Sequence, residues 1–284
     1  MKMKKTERIG AIVKILLDNP NKIFTLGNFA DEFHTAKSTL SEDIVVVKNV
    51  FQRLNLGKII TISGASGGMK YIPYMNSENI LEVLTELCEK ISDPERQLVG
   101  DFFYLIDLIY NPVYTRQIGE IFASIIDYSE TDYVVTIETK GIPMALMTAR
   151  AMNLPLVIIR KNIKVSEGPT VGINYLSGTS GTIQSMSLSR KSIKPNSKVI
   201  LIDDFMRKGG TLKGMEELMK EFSAEVVARG VFMEANPNEK KEIDNYISLI
   251  HIQSQGDEKI IVPNRKALVN SNEMMLWSIK SRAI

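Results

Sequence analysis

The stretch Val199-Ile200-Leu201-Ile202-Asp203-Asp204-Phe205-Met206-Arg207-Lys208-Gly209-Gly210-Thr211 decides the fold. Four consecutive apolar residues without alternation predict a strand covered on both faces, as in a mainly parallel sheet. Leu212, Met215, Leu218, Met219 and Phe222 then recur at helical spacing. The unit is strand, loop, helix, and the loop lies at the carboxyl edge of the sheet, where open α/β sheets bind ligands. Gly209 and Gly210 let backbone amides approach an anion, Thr211 supplies a hydroxyl, and the helix start carries partial positive charge. Together they form a candidate phosphate cradle, with the Lys208 cation beside it. Asp203 and Asp204 offer acceptors only, which suits vicinal sugar hydroxyls or a metal. A sugar phosphate satisfies both ends, whereas Gly-Gly-Thr alone is also compatible with an ordinary turn before a helix.

Outward from this unit the body alternates strands and helices. Residues 133–137 predict a second buried strand, followed by Glu138-Thr139-Lys140-Gly141-Ile142-Pro143 and a helix over 144–152. A Gly-containing loop entering a helix offers another anion site, with Lys140 placed for a pyrophosphate. Taken alone it is equally an ordinary βα-turn. Residues 156–161 predict the next strand, ending in Arg160 and Lys161. From 162 to 192 the chain turns polar, with Gly168, Gly172, Gly178 and Gly181 spacing β-type runs at 170–176 and 182–188. This pattern predicts a mobile hairpin flap over the site. Residues 225–233 and 247–252 read as further strands, and 102–109 and 118–126 as two apolar helices ahead of the sheet. The expected body is α/β, a mainly parallel sheet flanked by helices.

Charge separates a head from this body. Residues 1–74 hold nine lysines and two arginines against six acidic residues, a net +5; the whole chain is +2, so the remainder carries −3. A basic head points to a polyanion partner. Residues 4–17 predict an amphipathic helix with Lys4, Lys5 and Arg8 clustered at its start and Asn19-Pro20 at its end. Thr25 is expected to cap a short helix through Phe33, and Ser38 to precede a longer one reaching about Arg53. Ile44, Val45, Val47, Val50, Phe51 and Leu54 supply its buried face, leaving Lys37, Ser38, Thr39, Lys48 and Gln52 outward. Short polar residues at the start of such a helix are where a recognition helix meets base edges. Residues 58–63 and 69–74 flank Gly64-Ala65-Ser66-Gly67-Gly68 as a hairpin, which completes a winged helix and sets Lys70 beside the tip to reach a phosphate. A winged helix also serves for protein docking; the +5 charge favours DNA.

At 284 residues and 44% hydrophobic content the chain has room for two domains, expected at 1–74 and 75–284. No apolar run is long enough to span a bilayer, and the basic N-terminus continues into an amphipathic pattern unlike a signal peptide, so a cytoplasmic protein is expected. The single cysteine, Cys88, sits among Leu81, Leu84, Leu87 and Ile91 and reads as a packed helix residue. With only His34 and His251, no zinc site is expected.

The opening stretch resembles the phosphoribosyl pyrophosphate (PRPP) motif of type I phosphoribosyltransferases: apolar strand, paired acids, a short variable run, then Gly-Gly-Thr. Joined to the winged-helix head, the chain resembles the purine operon repressors of Gram-positive bacteria over nearly its whole length. The residues that carry this are Ala36-Lys37-Ser38-Thr39-Leu40-Ser41-Glu42-Asp43-Ile44 and the glycine-rich tip in the head. In the body they are Thr139-Lys140-Gly141-Ile142-Pro143, Val157-Ile158-Ile159-Arg160-Lys161, Lys164-Val165-Ser166-Glu167-Gly168 and Asp203-Asp204-Phe205-Met206. The resemblance implies a homodimer that binds operator DNA upstream of purine genes, with PRPP and Mg²⁺ as inducer, and a phosphoribosyltransferase domain that senses without catalysing transfer. It implies an effector site at Asp203, Asp204, Phe205, Met206, Arg207, Lys208, Gly209, Gly210 and Thr211, with Thr139, Lys140, Gly141, Lys161 and Phe102 around it. Gly100-Asp101-Phe102 stands where the family pattern is Gly-Gly-Tyr, and Lys208 where a small residue is usual. Guanine nucleotides are candidate competitors for the same phosphate positions. Two other readings stay open: an active purine phosphoribosyltransferase with an appended nucleic-acid domain, and an adaptor whose head binds protein.

Overall fold

The computed structural model describes residues 3–62, 68–98, 102–161, 168–176, 181–255 and 258–268. In the head, α1 (Lys5–Asp18), α2 (Leu26–Phe33) and α3 (Lys37–Arg53) precede an antiparallel hairpin of β1 (Lys58–Ile62) and β2 (Gly68–Ile72). Phe24 bridges to Met69 on the far edge of β2. The arrangement is a winged helix; the tip over 63–67 lies outside the described residues.

A reciprocal cap starts α2: Asn28 N donates to Thr25 Oγ1 at 3.1 Å and Thr25 N to Asn28 Oδ1 at 2.8 Å, satisfying amides a helix start leaves open. His34, with left-handed backbone at φ 47°, ends it and redirects the chain into α3. The longer helix begins at Lys37 after Ala36, one residue ahead of the expected Ser38 cap. Its buried residues are Leu40, Asp43, Ile44, Val47 and Phe51. Val45 and Leu54, expected inside, are 57% and 63% exposed: Val45 falls off that stripe, and Leu54, though in line with it, is the C-cap just past the helix end.

One pair in this core is charged. Arg8 and Asp43 are both buried, with Arg8 Nε donating to Asp43 Oδ2 at 2.7 Å and Arg8 Nη1 to Met3 O at 2.9 Å. Read on α1 alone, Arg8 belongs with Lys4 and Lys5 on the surface; the carboxylate on α3 draws it inward instead. Its guanidinium is therefore structural, a correction to its expected place at the DNA face. Lys70 needs the same correction, since Met69, Lys70 and Tyr71 are all buried and β2 is covered on both faces.

The body opens with α4 (Ser77–Ile91), capped by Asn76, whose Oδ1 accepts from Asn79 N at 2.8 Å, and not by Ser77. Cys88 is buried on this helix, and burial, with Glu89 nearby, pushes its thiol up to about 12. Where the apolar run predicts a full helix, only the short α5 (Ile106–Ile109) forms, and Phe102, Tyr104 and Ile106 stay exposed. Pro112 then opens α6 (Pro112–Ile125), with Asn111 as its cap.

The main sheet contains β3 (Tyr133–Ile137), β4 (Leu156–Ile159), β7 (Lys198–Met206), β8 (Glu225–Ala235), β9 (Ile247–Gln255) and β10 (Glu258–Pro263). Their order is β10-β9-β8-β7-β3-β4, parallel throughout except for β10, an antiparallel edge strand that no clear pattern foretold. The crossover helices are α7 (Ile142–Met152) after β3 and α8 (Gly210–Glu221) after β7. The expected flap is a hairpin of β5 (Thr170–Leu176) and β6 (Ile183–Ser189), joined to the β4 edge by paired Arg160–Ser187 backbone bonds of 2.9 and 2.8 Å.

Strand alternation divides β7 between two cores. Ile200 and Ile202 pack with α4, α6 and α7; Val199 and Leu201 pack with α8 and with Tyr175, Met186 and Leu188 of the hairpin. The strand does not stop at Ile202 but continues through Met206, pairing Asp203 with Val231 and Phe205 with Met233. Pairing to the long β8 overrides the poor strand preference of aspartate. Among the described residues no helix is long and apolar enough to cross a membrane.

The Arg8–Asp43 pair yields a test of the head. Replacing Arg8 with Met leaves a buried carboxylate without its cation and should destabilise the head by about 3–5 kcal/mol, while Lys5→Ala at the exposed start of α1 should stay within about 0.5 kcal/mol. Urea unfolding of the two variants decides it; equal stabilities would return Arg8 to the surface set.

Candidate functional site

Loops following β3, β4 and β7 converge on the paired acids. A Cβ built on Gly141 would meet Thr136 Oγ1 at 2.7 Å, so glycine lets this loop lie against the end of β3, with Asp204 N in ordinary contact at 3.7 Å. The peptide between Glu138 and Thr139, just before, is cis. Lys161 N donates to Glu138 Oε1 at 2.6 Å and Arg160 Nη1 lies 3.3 Å from Glu138 Oε2, which ties the end of β4 to the same loop. The Arg160 guanidinium is thereby engaged, whereas Lys140 and Lys161 are exposed and both act on the Asp204 carboxyl.

Asp203 is buried and Asp204 half-buried, with Asp204 N donating to Asp203 Oδ1 at 3.0 Å. Burial first, and the neighbouring Asp204 charge second, push the Asp203 carboxyl well above its ordinary 3.8. Burial also raises Asp204, against the opposing pull of its hydrogen bonds and of Lys140 and Lys161. Two carboxyls held so short of donors are suited to take hydroxyl donors from a ligand.

The cradle follows at once. Gly209, at φ 91°, precedes the first turn of α8, and a Cβ there would come 2.9 Å from Ile243 Cγ2. Conformation and space both demand glycine. No side chain of Gly209 covers the first amides of α8, and Thr211 stands among them. Tyr175, from β5, enters here without having been expected: its hydroxyl donates to Gln184 Oε1 at 2.9 Å and interacts with the Thr211 hydroxyl, within range of the Asp203 charge. Nothing local marks Tyr175, because docking of the hairpin on α8 is a long-range event. On the flank, Phe102 and Phe205 rings lie 6.3 Å apart, which brings the isolated Phe102 to the motif. Thus Lys140, Gly141 and Lys161 lie by the acid pair, with Thr139 in the same loop and Phe102 on the Phe205 flank, while Lys164 to Glu167 lie outside the described residues.

On the head, Lys37 and Ser38 are exposed and Thr39 half-buried in the first turn of α3, with Lys4 and Lys5 exposed at the start of α1. Lys48 Nζ donates to Thr61 Oγ1 at 2.7 Å, so it braces α3 against the wing hairpin.

Comparison with known proteins gives two family matches: "Bacterial purine repressor, N-terminal" over residues 4–73 and "Phosphoribosyl transferase domain" over residues 107–265. The chain is 41% identical over 254 residues, 89% of each chain, to the purine biosynthesis transcriptional repressor PurR of Bacillus subtilis (strain 168). It is 35% identical to the purine biosynthesis transcriptional activator PurR of Lactococcus lactis subsp. lactis (strain IL1403), over 93% of this chain and 95% of that one. Among solved structures, adenine phosphoribosyltransferase from Thermoanaerobacter pseudethanolicus matches with TM-score 0.50 at 19% identity, over 59% of this chain and 99% of that one. That likeness concerns the fold of the body.

The raised Asp203 carboxyl makes a pH-dependent prediction. Between the ordinary 3.8 and its raised folded value, the folded state holds more protons than the unfolded one, so this group removes stability as pH rises through that window. Asp203→Asn keeps the acceptor for Asp204 N and should therefore be more stable than the parent at neutral pH, with the difference vanishing below about pH 4. Thermal unfolding of both proteins across pH tests this; a variant no more stable at pH 7 contradicts it.

Proposed function

Because the chain belongs to the bacterial purine repressor family, we propose that it is a DNA-binding regulator of purine-biosynthesis genes whose body senses PRPP rather than consuming it. The observation that carries this reading is the position of α7. Its first turn follows Gly141 at the effector side, and near its other end the Ala151 carbonyl accepts from Asn21 Nδ2 of the head at 2.8 Å. Asn21 Nδ2 also reaches Tyr128 Oη at 3.0 Å, and Met75 N donates to Ser124 Oγ at 2.9 Å. With 11 residues, α7 is a rod of about 16 Å. A shift of the loop around a bound pyrophosphate therefore displaces the anchor of the head.

PRPP suits the site from end to end. Its 5′-phosphate takes the amides from Lys208 to Thr211, its ribose hydroxyls donate to Asp203 and Asp204, and its pyrophosphate with Mg²⁺ lies toward Lys140 and Lys161. Guanine nucleotides compete for the same phosphate positions. DNA meets Lys37, Ser38 and Thr39 at the start of α3, with Lys4 and Lys5 on neighbouring phosphates. The working unit is a homodimer in the cytoplasm, on the nucleoid; Leu98, Tyr104, Ile106, Tyr110 and Val113, close in sequence, are exposed large side chains for a second copy to cover. Repression relieved by PRPP is the proposed sign, in keeping with the repressor name of the Bacillus relative, while the Lactococcus relative is named an activator.

A ligand shifts DNA binding only by its differential affinity for the two states, and DNA acts back on the ligand by the same factor. Titrating selected genomic operator fragments with PRPP and Mg²⁺ should weaken binding by about 5–150-fold. The double variant Asp203→Ala, Asp204→Ala should bind DNA normally and fail to respond; an equal response removes the motif from sensing. Sustained pyrophosphate release with purine bases would instead make the chain an active phosphoribosyltransferase.

On the DNA side, Lys5→Ala should weaken specific and random duplex alike and lower the salt slope by roughly 1. Loss confined to the operator contradicts a phosphate-positioning role for this residue.

A further inference from the structure

Behind the phosphate cradle lies a segment that no sequence pattern marked. The Lys241 side chain is 4% exposed, and its ammonium donates to Arg207 O at 2.7 Å, Ala235 O at 2.6 Å and Asn236 O at 2.9 Å. Those acceptors match the donor capacity of an ammonium, so its protons are committed to the backbone. Glu234 Oε1 stands 3.6 Å away. Burial pushes the Glu234 carboxyl up, but hydrogen bonds from His251, Tyr246 and Ser248 outweigh it and hold the group at about 2, charged beneath the ammonium. The next amide, Glu242 N, donates to Lys208 O at 2.8 Å, and Ile243 closes on Gly209.

Peptide planarity converts these bonds into a direction. In a trans peptide the carbonyl and the following amide point opposite ways, and the cis bond in the described chain is at Glu138–Thr139. With the Arg207 and Lys208 carbonyls drawn onto Lys241 and Glu242, the amides of Lys208 and Gly209 face the other side of the loop. Successive amides aimed to one side form an anion nest, adjoining the open first turn of α8.

We propose that Lys241 is a positioning residue for the effector's sugar phosphate: from behind the loop it fixes the peptide plane between Arg207 and Lys208, while the neighbouring Glu242 amide holds the next plane, so that the amides of Lys208 and Gly209 meet the phosphate. This rests on the effector reading given above. The acid pair and the Lys140 loop make no use of Lys241, so its loss acts on one end of the ligand and spares the other.

The experiment measures ribose 5-phosphate and inorganic pyrophosphate separately, by calorimetry on the full chain. In Lys241→Met, affinity for ribose 5-phosphate should fall about tenfold or more, the equivalent of one net hydrogen bond, while pyrophosphate affinity stays unchanged. Ribose 5-phosphate bound as tightly as by the parent overturns the inference, and so does an equal loss of both ligands, which would mean general unfolding of the site. If the parent binds neither ligand, the effector reading fails and this inference falls with it. Should Lys241→Met not fold, Lys241→Gln, whose amide meets fewer of the carbonyls, is measured the same way; it should show the same one-sided loss at smaller size, and symmetrical or absent loss overturns the proposal.

Discussion

Strand β7 is covered on both faces and paired with β3 as far as Leu201 and with β8 as far as Met206, so its carboxyl end is held by β8 and by the two cores of the body. Val199 and Leu201 anchor it on the α8 side and Ile200 and Ile202 on the α4, α6 and α7 side. This rigidity is what keeps Asp203 and Asp204 in a place that burial and their mutual repulsion both oppose. Functional sites commonly hold such unfavourable arrangements, and the surrounding packing is what maintains them.

The site is assembled from complementary deficits. The acid pair lacks donors, the amides after Lys208 and at the start of α8 lack acceptors, and Lys140 and Lys161 approach from other loops to balance charge. The proposed ligand, a sugar bearing phosphate groups, matches these groups in order. Gly141 and Gly209 are points at which a neighbouring side chain, Thr136 in one case and Ile243 in the other, leaves no room for a Cβ.

In the head, net charge and charge at the surface are separate quantities. Arg8 and Asp43 neutralise one another inside the core, which leaves the +5 of residues 1–74 unchanged while removing a residue from the candidate phosphate contacts. Lys48 is turned to bracing the wing and Lys70 is buried. The remaining exposed set, Lys4, Lys5, Lys37 and Ser38, is smaller than the charge count suggests and lies at the starts of α1 and α3. Asn21 then links this head to the end of α7, the helix whose other end opens at Gly141 beside the acid pair.

Local sequence determined most elements and marked much of the candidate site. Apolar runs located β3, β4 and β7, glycine spacing located the hairpin of β5 and β6, and the order acid-acid, variable run, Gly-Gly-Thr located the cradle, because each depends on neighbours within a turn or a strand. Even Thr25 as a cap was legible from its place just ahead of the short helix. What tertiary structure alone decided were the partners of side chains whose contacts are distant in sequence. Arg8 meets Asp43 across 35 residues and Lys241 meets Arg207 across 34; Tyr175 reaches the cradle only once the hairpin docks on α8. Periodicity assigns a side chain to a face of its own element, but whether that face meets solvent, a counter-charge or a backbone carbonyl depends on which element packs against it, and that is settled only when the chain has closed on itself.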